Sequence, residues 1–312
     1  MPLIEGNNIE YLANLFADRN VFFFHACQLR DFRTYFQLGG IPSRNLMVLK
    51  SANFTQFETD KADKENEVWN LVFGNLWDYG STFANKMWGE NSAPVPNPFG
   101  PITLKCEPNI LNESNNVSVC LRSAGGIAFN REGEGLSIDD IPRIFYCLNC
   151  EDEYKESWLK YSDDLKKEFQ INTPNTLNPE LSCQTPNELL SADRIIQILV
   201  DDIQVNGTPL IHTVKEIVRD FQFDIPVYNR FYHKEFGETR KGILSNLISC
   251  ASEGLRTFDE IYKHKLCEEP TKEWMGKVNN CGNKYQFDRY LNYLINGTLN
   301  EKNTPNNNIK SI

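Results

Sequence analysis

Residues 21–26 read Val-Phe-Phe-Phe-His-Ala, a β-branched and aromatic run too short for a helix and therefore a strand that ends near a histidine. Three residues later the spacing changes. Across 29–38 the apolar positions Phe32 and Phe36 fall on one helical face, and Gly39-Gly40 stops that helix. A strand, a turn, an amphipathic helix and a glycine-led loop in immediate succession commit the chain to packing helices on a sheet.

The same spacing rules extend along the chain. Residues 8–18 carry Ile9, Leu12, Leu15 and Phe16 at helical intervals, and 64–87 are helix-compatible through Val68, Leu71, Val72, Leu76 and Phe83, with a break expected at Tyr79-Gly80. Four prolines between Ser92 and Pro101 require a loop, which is a candidate lid. Residues 102–106 and 117–122 alternate as strands, and the turn-rich 112–116 between them suggests a hairpin. Residues 143–148 and 194–200 are further strand candidates, 157–169 an amphipathic helix, and 172–184 a polar, proline-bearing loop. From about His212 the pattern is helical, at 212–221, 242–253 and 287–295, and the Asn-rich stretch after Asn296 reads as disordered. The expected division is a domain over 1–210, a helical subdomain or extension over 211–296, and a tail over 297–312.

Composition bounds the function. With 312 residues, 40% hydrophobic and 12% aromatic, the chain can bury a substantial core. No apolar run approaches the roughly 18 residues needed to span a bilayer, and the first 20 residues lack a basic region followed by an apolar one, so a cytoplasmic protein is expected. Nine cysteines at irregular spacings suit reduced thiols; Cys147 and Cys150 form a CxxC with only Cys183 and His212 as loose companions, so no metal is expected. A net charge of −10 repels nucleic acid over the surface as a whole, and a polynucleotide substrate requires a local basic track. No Walker loop, GxGxxG, GxSxG or HExxH sequence is present.

Three segments carry a more specific signal. The first is Phe24-His25-Ala26, followed by the amphipathic helix and Gly39-Gly40-Ile41-Pro42-Ser43-Arg44-Asn45; the second is Leu76-Trp77-Asp78-Tyr79; the third is Pro186-Asn187-Glu188-Leu189-Leu190 ahead of the apolar 195–200. In this order they resemble the DarT family of ADP-ribosyltransferases, over roughly residues 20–202. The resemblance implies an α+β fold with a split mixed β-sheet core, flanking helices and, here, a helical C-terminal extension. It implies NAD as substrate, embraced by His25, Ser43, Arg44, Asn45, Asp78 and Tyr79, with Glu188 as the catalytic carboxylate.

The chemistry of such residues is reasonable. A strand-terminal histidine can bond a ribose, an arginine can neutralise a phosphate, and an aromatic face can stack on a nicotinamide ring. A carboxylate on the ribose 2′-hydroxyl stabilises an oxocarbenium-like transition state as nicotinamide leaves, and can take a proton from the acceptor. The bland alternatives are a core histidine satisfied by backbone for His25, core anchors for Trp77 and Tyr79, and a loop acid for Glu188. Between Arg44 and Asp78 there is no arginine, where the family has one against NAD, so Arg122 or Arg131 is the candidate substitute. The resemblance further implies a toxin or phage-defence effector that modifies a DNA or RNA base, with a partner antitoxin. A protein acceptor, an NAD glycohydrolase using water, and a non-enzymatic α/β binding protein are the competing expectations.

Overall fold

The computed structural model describes residues 2–301 apart from 87, 89–91, 122–134, 145–155, 169, 172–176 and 178. Helix α1 (Asn7–Asp18) buries Ile9, Leu12, Ala13 and Phe16 at the intervals read from sequence, and precedes β2 (Phe23–Cys27) and α2 (Leu29–Leu38). Gly39 caps α2 in the left-handed region at φ 83°, and the chain continues as β3 (Gly40–Pro42) and the short α3 (Arg44–Leu49). After α4 (Thr59–Glu65) come β4 (Val72–Asn75), α5 (Tyr79–Asn85), β5 (Ile102–Cys106) and β6 (Asn116–Cys120). Helices α6 (Ile141–Ile144) and α7 (Glu156–Glu168) lead to β7 (Glu180–Gln184), β8 (Leu189–Ser191) and β9 (Ile195–Val200).

Six of these strands and two others make one mostly antiparallel sheet in the order β1-β6-β7-β4-β2-β5-β9-β12, where β1 is Ile4–Glu5 and β12 is Val227–Asn229, while β3 and β8 pair separately. Only β12 runs parallel to its neighbour β9. A small pair, β10 (Gln204–Val205) and β11 (Thr208–Pro209), precedes α8 (Leu210–Asp220), and α9 (Gly237–Ser252), α10 (Phe258–Lys263), α11 (Thr271–Asn280) and α12 (Lys284–Leu294) complete the helical part. The mixed α+β class that the resemblance implies is therefore the class observed. Among the described residues no helix is long and apolar enough to cross a membrane.

Several local expectations are corrected by sheet pairing. The helix expected over 64–87 contains β4, which lies between β2 and β7. Pairing prevails there because Gly74 lets the Phe23 ring close over the strand: a Cβ at that position would stand 2.2 Å from the ring. The expected hairpin of β5 and β6 does not form. A 3-10 segment, Pro108–Glu113, carries the chain away, so β5 pairs with β2 and β9 while β6 pairs with β1 and β7. The polar stretch 172–184 ends in β7, whose Leu181 and Cys183 are buried between β4 and β6.

Where a strand was expected at 143–148, residues 141–144 are helical, and 145–148 lie outside the described residues, as do Cys147 and Cys150. Of the segment after Asn296, residues through Glu301 pack on α2: Thr298 is buried and donates to Gln28 Oε1 at 2.7 Å, and Glu301 pairs with Arg33 at 2.9 Å.

Candidate functional site

A rung of two short strands assembles the site. Strands β3 and β8 pair antiparallel, with Gly40 opposite Ser191, Ile41 opposite Leu190 and Pro42 opposite Leu189. Antiparallel register then sets the residue after β3 against the residue before β8, which are Ser43 and Glu188. Their backbones are bonded, Ser43 N–H donating to the Glu188 carbonyl at 2.7 Å. The closeness of the two strands explains the second glycine of Gly39-Gly40, since a Cβ on Gly40 would lie 2.0 Å from the Leu190 carbonyl oxygen.

The side chains converge at the same place. Ser43 Oγ donates to Glu188 Oε2 at 2.5 Å, and Asn45 Nδ2 donates to Oε1 and Oε2 at 2.9 and 3.1 Å. Ser43 also caps α3, its Oγ accepting from Leu46 N–H at 3.0 Å, so the helix start holds the serine in the rotamer that meets Glu188. Glu188 itself is half-buried with φ at 54°, a left-handed conformation uncommon for glutamate and of a kind that collects at functional sites.

Beside this rung lies a cavity of about 120 Å³, bordered by Pro42 and Arg44 of the same loop, by His25 and Tyr35, and by Phe57, Phe73 and Phe99. Glu188 adjoins the cavity through Ser43 without lining it. His25 Nδ1 stands 2.7 Å from the Phe73 carbonyl and Nε2 stands 3.0 Å from the Tyr35 hydroxyl. A carbonyl only accepts, so Nδ1 carries the proton and Nε2 accepts from the tyrosine. Burial pushes the imidazole down to about 4, with the Phe73 carbonyl opposing and the Arg44 charge reinforcing. His25 is thus satisfied by a backbone group and also faces the cavity as a neutral ring.

Arg44 is enclosed. Its guanidinium pairs with Asp31 at 3.3 Å and Asp60 at 3.8 Å, and lies over the rings of Phe54 and Phe57 at 5.2 and 4.5 Å. Asp63 on α4 and Glu180 at the start of β7 add two carboxylates to the cavity wall. Burial raises the Asp63 carboxyl to about 6; the Asp60 charge adds to the rise and Arg44 opposes it.

Because the folded carboxyl binds its proton more tightly than an unfolded one, near 3.9, the fold loses stability as pH rises from about 4 to 6. Asp63→Asn is therefore expected to raise stability by about 1 kcal/mol at pH 8, after allowance for partial solvent exposure, and to change it little at pH 4. Chemical denaturation at the two pH values checks this, and an equal gain at both would assign the effect to packing instead.

Asp78 and Tyr79 stand apart from the cavity wall. Asp78 caps α5, its Oδ1 accepting from Gly80 N–H at 3.1 Å, and its other oxygen pairs with Arg230, whose Nε donates to Asp201 at 2.7 Å. This buried group joins β4–α5 to β9 and β12, and Gly80 leaves room for it, since a Cβ there would meet the guanidinium of Arg230 at 2.2 Å. Tyr79 packs against the core, and burial together with the Glu180 charge pushes its phenol well above the ordinary range. Arg122 and Arg131 lie outside the described residues.

Sequence reasoning missed Tyr35, Phe57, Phe99, Asp63 and Glu180. Tyr35 was discoverable, since it sits on the inner face of the helix that follows His25. Phe99 lies in the proline-rich segment already singled out as a loop, while Phe57, Asp63 and Glu180 come from segments with no local signature. Among the described residues no cluster of three His, Cys, Asp or Glu side chains could hold a metal ion.

No family model matches the sequence, and no curated protein does. Among solved structures, Thermus sp. 2.9 DarT in complex with ADP-ribosylated ssDNA is similar with a TM-score of 0.41 and 9% identity, over 67% of this chain and 94% of that one.

Proposed function

We propose that this chain is an NAD-dependent ADP-ribosyltransferase of the DarT type that modifies a nucleic acid base. The observation that carries the proposal is the convergence of Glu188 with Ser43 and Asn45, residues about 145 apart in the chain that the family resemblance had singled out separately. Two side-chain donors on one loop carboxylate fix its position, as a carboxylate that acts on substrate requires.

In this reading Glu188 accepts the 2′-hydroxyl of the nicotinamide ribose and stabilises the positive charge that develops at C1′ as the C1′–N bond breaks. The bonding electrons leave with nicotinamide. A nucleophilic atom of the acceptor base then bonds C1′, and its proton passes to the Glu188 carboxylate. Ser43 and Asn45 hold that carboxylate in place. The cavity beside it, at about 120 Å³, is near but below the roughly 150 Å³ of a cavity that holds benzene, and its Phe57, Phe73 and Phe99 walls suit an aromatic ring such as nicotinamide. The remainder of the dinucleotide lies over Arg44, whose charge Asp31 and Asp60 must then share with the pyrophosphate.

The choice of nucleic acid as acceptor, the toxin or phage-defence role and the partner antitoxin rest on the family resemblance. Purified protein incubated with labelled NAD and separate single-stranded DNA, RNA and protein pools, wild type against Glu188→Ala, tests the reading. Label entering one pool with wild type alone supports the transferase and names its acceptor. Free ADP-ribose without labelled polymer would favour a glycohydrolase, and no nicotinamide release in any pool sinks the enzyme reading.

A further inference from the structure

The helices after residue 210, for which the family resemblance supplies no counterpart, reach the cavity through a chain of contacts. Helix α12 presents Tyr293, a fully buried side chain whose ring meets Phe57 edge-on at 4.6 Å and whose hydroxyl accepts from Glu58 N–H at 2.8 Å. Two further groups of the same helix grip Glu58: Tyr285 donates to its carboxylate at 2.7 Å, and Arg289 stands 3.8 Å from it. Phe57 in turn covers Arg44 at 4.5 Å and packs edge-on against Phe99 at 5.6 Å, and all three line the cavity.

The second aromatic is tethered from the same side. The indole N–H of Trp274, on α11, donates to the Pro94 carbonyl at 3.2 Å, and Asn283 donates to the Ala93 carbonyl at 3.2 Å, so the proline-rich segment bearing Phe99 is tied down by the C-terminal helices. Neither Phe57 nor Phe99 belongs to a strand of the sheet, and the turn between Phe54 and α4 has no strand partner. Side chains hold it instead: Asp31 Oδ1 accepts from Thr55 N–H at 3.0 Å, Asp60 Oδ2 accepts from Phe57 N–H at 3.1 Å, and α12 holds Glu58 N–H and the Phe57 ring.

We propose that Tyr293 is a positioning residue for the dinucleotide: from α12 it clamps the Phe57–Glu58 turn, and through Phe57 it sets the aromatic wall of the cavity and the seat of Arg44. The C-terminal helical part acts in this way on substrate affinity at a site built by the N-terminal part. The inference rests on the NAD reading above for the identity of the ligand, while the clamp itself is a statement about the turn.

The test compares full-length wild type, Tyr293→Phe and Glu58→Ala. Tyr293→Phe keeps the ring against Phe57 and removes only the oxygen that accepts from Glu58 N–H, so it preserves the packing a larger truncation would lose. In steady-state nicotinamide release, KM for NAD is expected to rise about tenfold in Tyr293→Phe with kcat within about twofold of wild type. Backbone amides of residues 54–60 are expected to exchange faster in that variant than in wild type, with the sheet unchanged. Glu58→Ala, which keeps the backbone donor, is expected to fall between the two.

A lowered kcat or melting temperature at unchanged KM would mean ordinary structural support and overturns the proposal, as does unchanged exchange at 54–60. If wild type releases no nicotinamide, the transferase reading fails by itself. The exchange measurement needs no NAD and still decides for or against the clamp.

Discussion

Glu188→Gln is expected to lower kcat for nicotinamide release by about 10²–10³-fold, the cost of removing one preorganised charge from a developing cation, while KM for NAD changes little. The amide keeps the shape of the side chain and one oxygen able to accept from Ser43 or Asn45, so the loop stays in register. What it loses is the negative charge opposite C1′, an interaction stronger in the transition state than in the ground state, and such interactions appear in kcat rather than in KM.

The melting temperature should stay within a few degrees of wild type, because the β3–β8 rung is held by backbone bonds that the substitution leaves alone. Ser43→Ala and Asn45→Ala each leave the carboxylate one donor short, and each is expected to lower kcat by about tenfold, the value of one charge-assisted hydrogen bond. Burst and steady-state assays on the three variants, alongside thermal melts, measure all of this. A Glu188→Gln chain with wild-type kcat would remove Glu188 from the chemistry.

The largest effect on stability is expected at Arg230. Its guanidinium is buried and lies between Asp78 and Asp201, and it also donates to Thr103 Oγ1 at 3.2 Å. Replacing it by methionine keeps much of the volume and leaves two buried carboxylates facing each other without a cation. Breaking a buried pair in this way costs about 3–5 kcal/mol, because the desolvated charge that remains has nothing to offset it.

For a chain of this size that corresponds to a fall in melting temperature of roughly 5–8 °C. The companion change Asp78→Asn should cost less than Arg230→Met, since Asp201 still balances the arginine, and a double-mutant cycle between the two positions should show strong coupling. If Arg230→Met melts within about 2 °C of wild type, the cluster is not the junction that joins β12 to β4–α5. The sequence resemblance assigned Asp78 to NAD; its pairing with Arg230, about 152 residues onward, is a property of the tertiary fold.

How much of this was legible beforehand follows from the range over which each signal acts. Periodicity of side chains is a local quantity, and it located α1, β2, α2, β5, β6, α7, β9, α8, α9 and α12 within a few residues. It failed for β4, whose residues also fit a helical stripe, and for β7, which follows a polar, proline-bearing stretch; the partners that make them strands are remote. A segment that reads as a helix by spacing becomes a strand when its hydrogen-bonding edges are satisfied on both sides, and that information is held by other parts of the chain.

The site divides along the same line. The amino-acid sequence by itself determined the strand ending near His25 and the helix with its glycine stop, and the family resemblance added the candidacy of Glu188. Tertiary structure alone decided that Ser43 and Glu188 are neighbours, that Arg44 is balanced by Asp31 and Asp60 between Phe54 and Phe57, and that α12 supplies the support for Phe57. The physical reason is that helix spacing and capping are settled by interactions within a few residues, whereas strand pairing and the balance of buried charge are settled by whichever distant segment satisfies a hydrogen bond or a charge that water can no longer reach.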